Sequence, residues 1–145
     1  DIKGKKYIET PYKIYFTDLG IRNSFLNFRQ VEEPHLMENL IYNELKIRGY
    51  SVDVGVVEIR DKDSKKQIEI DFVCNLGSKK YYIQSALSVS DDDKKKQELR
   101  PLLNVDDFFK KIIITKDGVS SYRNDDGILF LNIYEFLLND NSLDL

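Results

Sequence analysis

Cysteine occurs once in these 145 residues, as Cys74, and a lone thiol excludes an intrachain disulfide and a cysteine-based zinc centre. Proline and glycine are scarce, at three and seven, so no flexible linker divides the chain; internal repeats and low-complexity stretches are missing as well. No apolar run approaches the roughly 20 residues a membrane-spanning helix needs, and the opening residues do not read as a charged-then-apolar leader. An excess of one charge is also lacking. With 22 Lys and Arg against 25 Asp and Glu, the formal charge is -3, which excludes a uniformly basic nucleic-acid coat but leaves local basic clusters open. These absences point to the cytoplasm and to no membrane partner. What is present, 41% hydrophobic and 12% aromatic residues, suffices for one sizeable core and therefore one domain. The chain opens at Asp1 without a Met on a polar, irregular segment, and is expected to be a piece of a longer protein.

The pattern along the chain predicts alternating elements. Lys13 to Asp18 reads as a short strand, and Ile21, Phe25 and Phe28 predict a short helix after Gly20. The clearest helix runs from about Pro34 to Arg48, with Pro in its opening turn, Gly49 as its stop, and Leu36, Leu40, Ile41, Leu45 and Ile47 as its apolar side. Val52 to Ile59 predicts an apolar strand that bends or bulges near Gly55, followed by a turn at Asp61 to Lys66. Gln67 to Cys74 alternates, which places Ile68, Ile70, Phe72 and Cys74 on one face and Glu69, Asp71 and Val73 on the other. A hairpin loop at Asn75 to Ser78 leads into a strand at Lys80 to Ser88. Asp91 to Leu103 predicts a helix kinked or ended near Pro101, Phe108 to Thr115 a buried strand, Ile128 to Leu131 another strand, and Tyr134 to Leu137 a closing helix. Strands alternating with helices at this length imply an α/β protein with a mixed central β-sheet flanked by helices.

The chemistry concentrates in an acid on a helix, an acid on a strand and a polar residue on the next strand: Glu38, Asp71 and Gln84. A carboxylate in an apolar strand is costly unless it is exposed, paired or holding a cation, and hairpin pairing places Gln84 beside Asp71. Oxygen ligands suit a hard ion such as Mg2+, which lowers the pKa of bound water and neutralises charge on a phosphodiester. Plainer roles stand beside this one. Glu38 in the opening turns of a helix offsets its dipole, worth about 0.3–1 kcal/mol; Asp71 pairs with Arg48 or a Lys; Gln84 satisfies neighbouring backbone; His35 is solvated rather than a ligand; and Cys74 packs in the core.

Several segments, in order, carry a resemblance. They are Lys13-Ile14-Tyr15-Phe16-Thr17-Asp18-Leu19-Gly20-Ile21-Arg22, Glu38 to Leu45 with Arg48-Gly49-Tyr50, Glu69-Ile70-Asp71-Phe72-Val73, Tyr82-Ile83-Gln84, and Glu98-Leu99-Arg100-Pro101-Leu102-Leu103. Together they resemble the C-terminal domain of a large group of prokaryotic AAA-type ATPases, in which a P-loop ATPase and a winged-helix part precede a domain similar in fold to the PD-(D/E)xK, restriction-endonuclease-like nucleases. The resemblance implies that residues 1–12 end the winged-helix or linker segment and that 13–145 form the nuclease-like domain. It also implies that the ATPase domain of the same protein is its partner and that ATP belongs to that domain; no Gly-x-x-x-x-Gly-Lys-Ser/Thr occurs in this chain.

On that pattern Glu38 matches the helical acid and Asp71 the metal-binding Asp, while Gln84-Ser85-Ala86 stands where Glu-x-Lys belongs. The tripeptide is broken: Gln84 removes a charged ligand, and Ala86 offers no amine. Glu69 is the candidate replacement ligand, so that the metal set reads Asp71, Glu38 and Glu69; Lys79 or Lys80 would have to stretch to supply the amine. The expectation is therefore a catalytically degenerate domain, not an enzyme on its own, that serves in DNA or protein recognition and regulation. Two alternatives stand: an active Mg2+-dependent DNA nuclease, and an assembly domain that forms a homo-oligomer through its aromatic lead segment (Tyr7, Tyr12, Tyr15, Phe16) and closing helix. For DNA, the candidate contacts are Lys79, Lys80, Lys94, Lys95 and Lys96, with Lys65-Lys66 and Lys110-Lys111 beside them; Asp91-Asp92-Asp93 would oppose a phosphate backbone.

Overall fold

Residues 12–29, 32–61, 64–118 and 120–145 are described in a computed structural model. The elements run α1 (Leu19–Phe25), α2 (Glu33–Ile47), β1 (Ser51–Asp61), β2 (Ser64–Leu76), β3 (Lys79–Ala86), α3 (Asp92–Leu103), β4 (Lys110–Thr115), β5 (Tyr122–Arg123), β6 (Leu129–Asn132) and α4 (Ile133–Leu138), with a 3-10 turn at Ser142–Asp144. Tyr7 and all but Tyr12 of the expected winged-helix or linker segment, residues 1–12, lie outside the described residues.

One six-stranded sheet has the order β1-β2-β3-β4-β6-β5. The hairpin-connected strands β1, β2 and β3 are antiparallel, whereas β3–β4 and β4–β6 are parallel. The change of sense follows from connectivity: a parallel neighbour requires a crossover, and α3 provides the one between β3 and β4. The central strand β4 is buried on both faces. Its Ile112 and Ile114 join Met37, Ile41, Leu45, Phe72 and Phe136 in a core beneath α2 and α4, while Ile113 joins Leu99, Leu102 and Phe130 beneath α3. The α/β, mixed-sheet expectation therefore holds, with helices on both faces.

Several boundaries and faces differ from the sequence reading. Lys13 to Thr17 is not a strand but an extended strap. Asn39, buried on α2, donates to the Phe16 carbonyl (2.7 Å) and accepts from the Phe16 N–H (2.8 Å), so a side-chain amide takes the place of a sheet neighbour. On α2 the buried side is Met37, Asn39, Ile41 and Leu45, and Ile47 is exposed. Phe28 falls outside α1, since Asn27 and Phe28 turn the chain at φ 50° and 55°. α3 ends near Pro101 as expected: Pro101 lies in the last turn, gives no N–H bond back to the carbonyl four residues before it, and the helix stops two residues later at Leu103. The two-residue edge strand β5 went unpredicted and is held by Tyr122 stacked on Phe130, with ring centroids 4.8 Å apart.

The alternation on β2 breaks at its middle. Asp53 pairs with Val73 but Gly55 pairs with Ile70, so β2 advances three residues where β1 advances two. This bulge sends Ile70 to the α3 core while Phe72 and Cys74 go to the α2 core, correcting the single apolar face expected for Ile68 to Cys74. Gly55 is required opposite it: a Cβ there would lie 2.8 Å from Val73 Cγ2 and 3.0 Å from Ile70 Cβ.

Candidate functional site

The bulge brings Asp71 to the point where β2 and β3 part. Their ladder ends at Phe72–Ile83, and side chains close the fork beyond it. The Asp71 N–H donates to Gln84 Oε1 (2.8 Å), and the Ser85 N–H donates to Asp71 Oδ2 (2.9 Å). The other end of the Gln84 amide donates to Glu98 Oε2 on α3 (3.0 Å), so this buried amide joins both strands to the helix. The plain reading of Gln84 as a backbone-satisfying residue thus describes its contacts, and Glu98 is an addition to the site.

From the other side α2 supplies Glu38 and the strap supplies Lys13 and Tyr15. The Lys13 ammonium lies 3.1 Å from Glu38 Oε1, 3.1 Å from Asp71 Oδ1 and 3.5 Å from Glu69 Oε2. Tyr15 donates its hydroxyl to Glu38 Oε1 at 2.6 Å and stacks on Tyr42 of α2 at a centroid distance of 4.2 Å. Asn43 donates to the carbonyls of Phe16 and Thr17, fastening the strap a turn beyond Asn39. The structure therefore brings together Glu38, Asp71, Gln84 and the more exposed Glu69, and adds Lys13, Tyr15 and Glu98.

Three carboxylates around one ammonium leave excess negative charge in a partly dry place. Burial pulls Lys13 down, but Asp71 and Glu38 more than offset it and hold the ammonium above its ordinary 10.5. Burial pushes Asp71 above the usual carboxylate range, with Glu38 adding to it, against the Ser85 N–H and Lys13. Burial likewise raises Glu98, against the Gln84 amide. Tyr15 is raised by burial and by its bond to Glu38, so it stays a donor.

Of the expected partners of Asp71, Arg48 or a Lys, the Lys is Lys13 and Arg48 is elsewhere. It bonds Glu44 at 2.8 Å and Ser142 at 3.1 Å, donates to the Phe136 carbonyl, and lies over the Phe136 ring, joining α2 to α4. Lys79 pairs with Asp144 at 2.7 Å and Lys80 sits over Tyr82 and Phe109, so neither reaches the acids. Of the Lys94–Lys96 run, Lys95 covers Tyr122 and Phe130, while Lys96 lines an open groove of about 720 Å³ that has Glu38, Asp71 and Gln84 on its wall and Lys66 at its margin. Lys110 and Lys111 are bonded to backbone carbonyls of Leu143 and Val105. His35 is exposed beside Glu32. Cys74 is buried, which pushes its thiol up to about 12 and leaves it inert packing.

As arranged, these residues do not fit a divalent metal ion. Mg2+ needs oxygen lone pairs at about 2.0–2.1 Å. Here Glu38 Oε1 accepts from both Lys13 and Tyr15, Asp71 accepts from Lys13 and Ser85, and Gln84 Oε1 is taken by a backbone N–H. Among the described residues no group of three His, Cys, Asp or Glu is placed to hold a metal.

Sequence reasoning placed Lys13 and Tyr15 in a strand and Glu98 in a helix without a task. A signal was present for each, since all three belong to the segments that carry the resemblance; what it lacked was the long-range closure that makes a residue at position 13 a neighbour of one at 71. No helix among the described residues is long and apolar enough to cross a membrane. No family model matches the chain, and no solved structure matches it. Over 138 residues, 95% of the chain, it is 33% identical to an uncharacterized protein of Haemophilus influenzae, and it spans about a third (32%) of that relative's length.

Proposed function

We propose that this chain is a nuclease-like domain of the restriction-endonuclease type that has lost cutting activity and serves as the C-terminal recognition part of an AAA-type ATPase. The observation that carries the reading is the Lys13 ammonium seated between Glu38 and Asp71. Phosphodiester hydrolysis of the metal-dependent kind needs those oxygens for a cation that activates water, and needs a second group to offset transition-state charge. Here Glu38 Oε1 and both Asp71 oxygens are engaged, Gln84 is neutral, and position 86 is alanine. Further support comes from α2, the β1–β3 meander and β3's neighbour β4, which gather the helical acid, the strand acid and the amide into one place, as the resemblance implies. A relative of about three times the length leaves room for the ATPase and winged-helix parts. The groove beside the acids, lined by Lys66, Lys96 and Arg100 but also by Glu38, Glu69, Asp71, Asp93 and Glu98, is the recognition surface, and DNA is its candidate ligand where the basic side chains face it.

Calorimetric titration of Mg2+ and Mn2+ into the chain and into Asp71→Ala, followed by plasmid cleavage on the same samples, tests this. Neither binding nor nicking is expected; metal heat and nicking that both vanish in Asp71→Ala would overturn the reading.

A second reading has its own observation. No residue of α1 is buried, and Ile21, Phe25 and Phe28 are 55%, 76% and 68% exposed. Such an apolar face suits an assembly contact. A chain that stays monomeric by sedimentation at high concentration counts against it.

A further inference from the structure

We infer that Lys13 is a tethered cation: its ammonium fills the position a divalent ion would take between Glu38 and Asp71, and the strap that carries it is what keeps metal out. The inference rests on the reading of this centre as a retired nuclease-like site and deepens it, because it names the group responsible. Replacing the Glu-x-Lys tripeptide is not by itself enough to close such a site. Glu38, Asp71 and Glu69 remain, and each puts an oxygen within 3.5 Å of one point. For Mg2+ at that point the Glu38 and Asp71 oxygens would close in by only about 1 Å, from 3.1 Å to about 2.1 Å. The oxygens thus stand at ammonium distance, too far to hold a metal as they are, and the occupant is the chain itself.

The strap is built to deliver that ammonium. Asn39 holds Phe16 by both its N–H and its carbonyl, Asn43 holds Phe16 and Thr17, and the Tyr15 ring lies on Tyr42 while its hydroxyl bonds Glu38. Lys13 is therefore presented at high effective concentration, without the translational cost a free ion bears. A metal can bind the wild-type chain only after the ammonium leaves, so its apparent affinity is reduced by the fraction of molecules in which the strap is open. Two changes remove the block by different routes. Lys13→Met deletes the charge while keeping the stem, and Asn39→Ala loosens the strap while leaving Lys13 and every carboxylate in the chain.

The test is a Mn2+ titration followed by the paramagnetic resonance signal of free Mn2+, with melting curves on the same samples. The wild-type chain should leave the signal unchanged through about 1 mM, Lys13→Met should take up one Mn2+ per chain at least about tenfold more tightly and melt higher with metal present, and Asn39→Ala should fall between. The double variant Lys13→Met, Asp71→Asn should lose the gain. A Lys13→Met chain that is folded and takes up no Mn2+ overturns the inference, as does a wild-type chain that binds as tightly as the variant. Should Lys13→Met be unfolded in metal-free buffer, refolding in about 10 mM Mn2+ supports the inference and failure to refold overturns it. Silence from both chains removes this inference alone and leaves the recognition reading intact. Plasmid cutting by the wild-type chain removes that reading, and the Lys13→Met to wild-type affinity ratio still decides this one.

Discussion

Asp71 and Glu98 bind their protons more tightly in the folded chain than in an unfolded one, because burial outweighs the donors that reach them. A group with a raised folded pKa favours folding fully below its unfolded value and loses that contribution as pH climbs through the folded one. Stability should therefore decline as pH rises out of the ordinary carboxylate range, and Asp71→Asn or Glu98→Gln should flatten that decline in urea unfolding curves; equal slopes in wild type and both variants would contradict it. Lys13 is also raised, so its contribution is whole below 10.5 and lost in the alkaline range above it, a loss that Lys13→Met should abolish. At this scale the sequence was informative about identity and gave the type of partner without saying which residue supplies it. Asp71 was legible as a carboxylate in need of a cation, and of the two partners expected, Arg48 or a Lys, it is a Lys that pairs with it: Arg48 is committed to Glu44 and Phe136, and Lys13 comes from 58 positions away.

Among the elements, β2 shows what periodicity misses. Ile68, Ile70, Phe72 and Cys74 alternate without fault in sequence, yet the strand changes face at the bulge, because β1 offers Gly55 there and the pairing steps by three against two. The sequence signal for it was the glycine in β1, not anything in β2. Gly55→Val should destabilise the chain by about 1–3 kcal/mol through the clash with Val73 and Ile70, measured by denaturant midpoint, and should disturb Asp71 with it. A variant as stable as wild type would show that the close approach is not needed. The strap failed as a strand prediction for a related reason: its apolar residues suit a ladder, but its backbone partners are the Asn39 and Asn43 side chains, and a helix supplies them. α2 and α3 were legible because their ends carry proline or Asp signals and their apolar residues recur at helical spacing.

For the whole molecule, the order of helices and strands was enough to give a mixed sheet covered on both faces, since parallel strands need crossovers and the crossovers must pack somewhere. The sheet order was not legible, because nothing local places β6 between β4 and β5. The site arises at the same scale: α2, β2, β3, α3 and the strap each bring one or two polar side chains to the fork, and only the assembled fold shows that the Lys13 ammonium already sits among the acids. The ammonium between Glu38 and Asp71 is the central claim. It is tested most directly by a crystal structure of the wild-type chain grown in MnCl2, with data collected at the manganese edge. The account predicts the Lys13 side chain in contact with Glu38 and Asp71 and no anomalous peak between them; a manganese peak there, with Lys13 turned away, would contradict it.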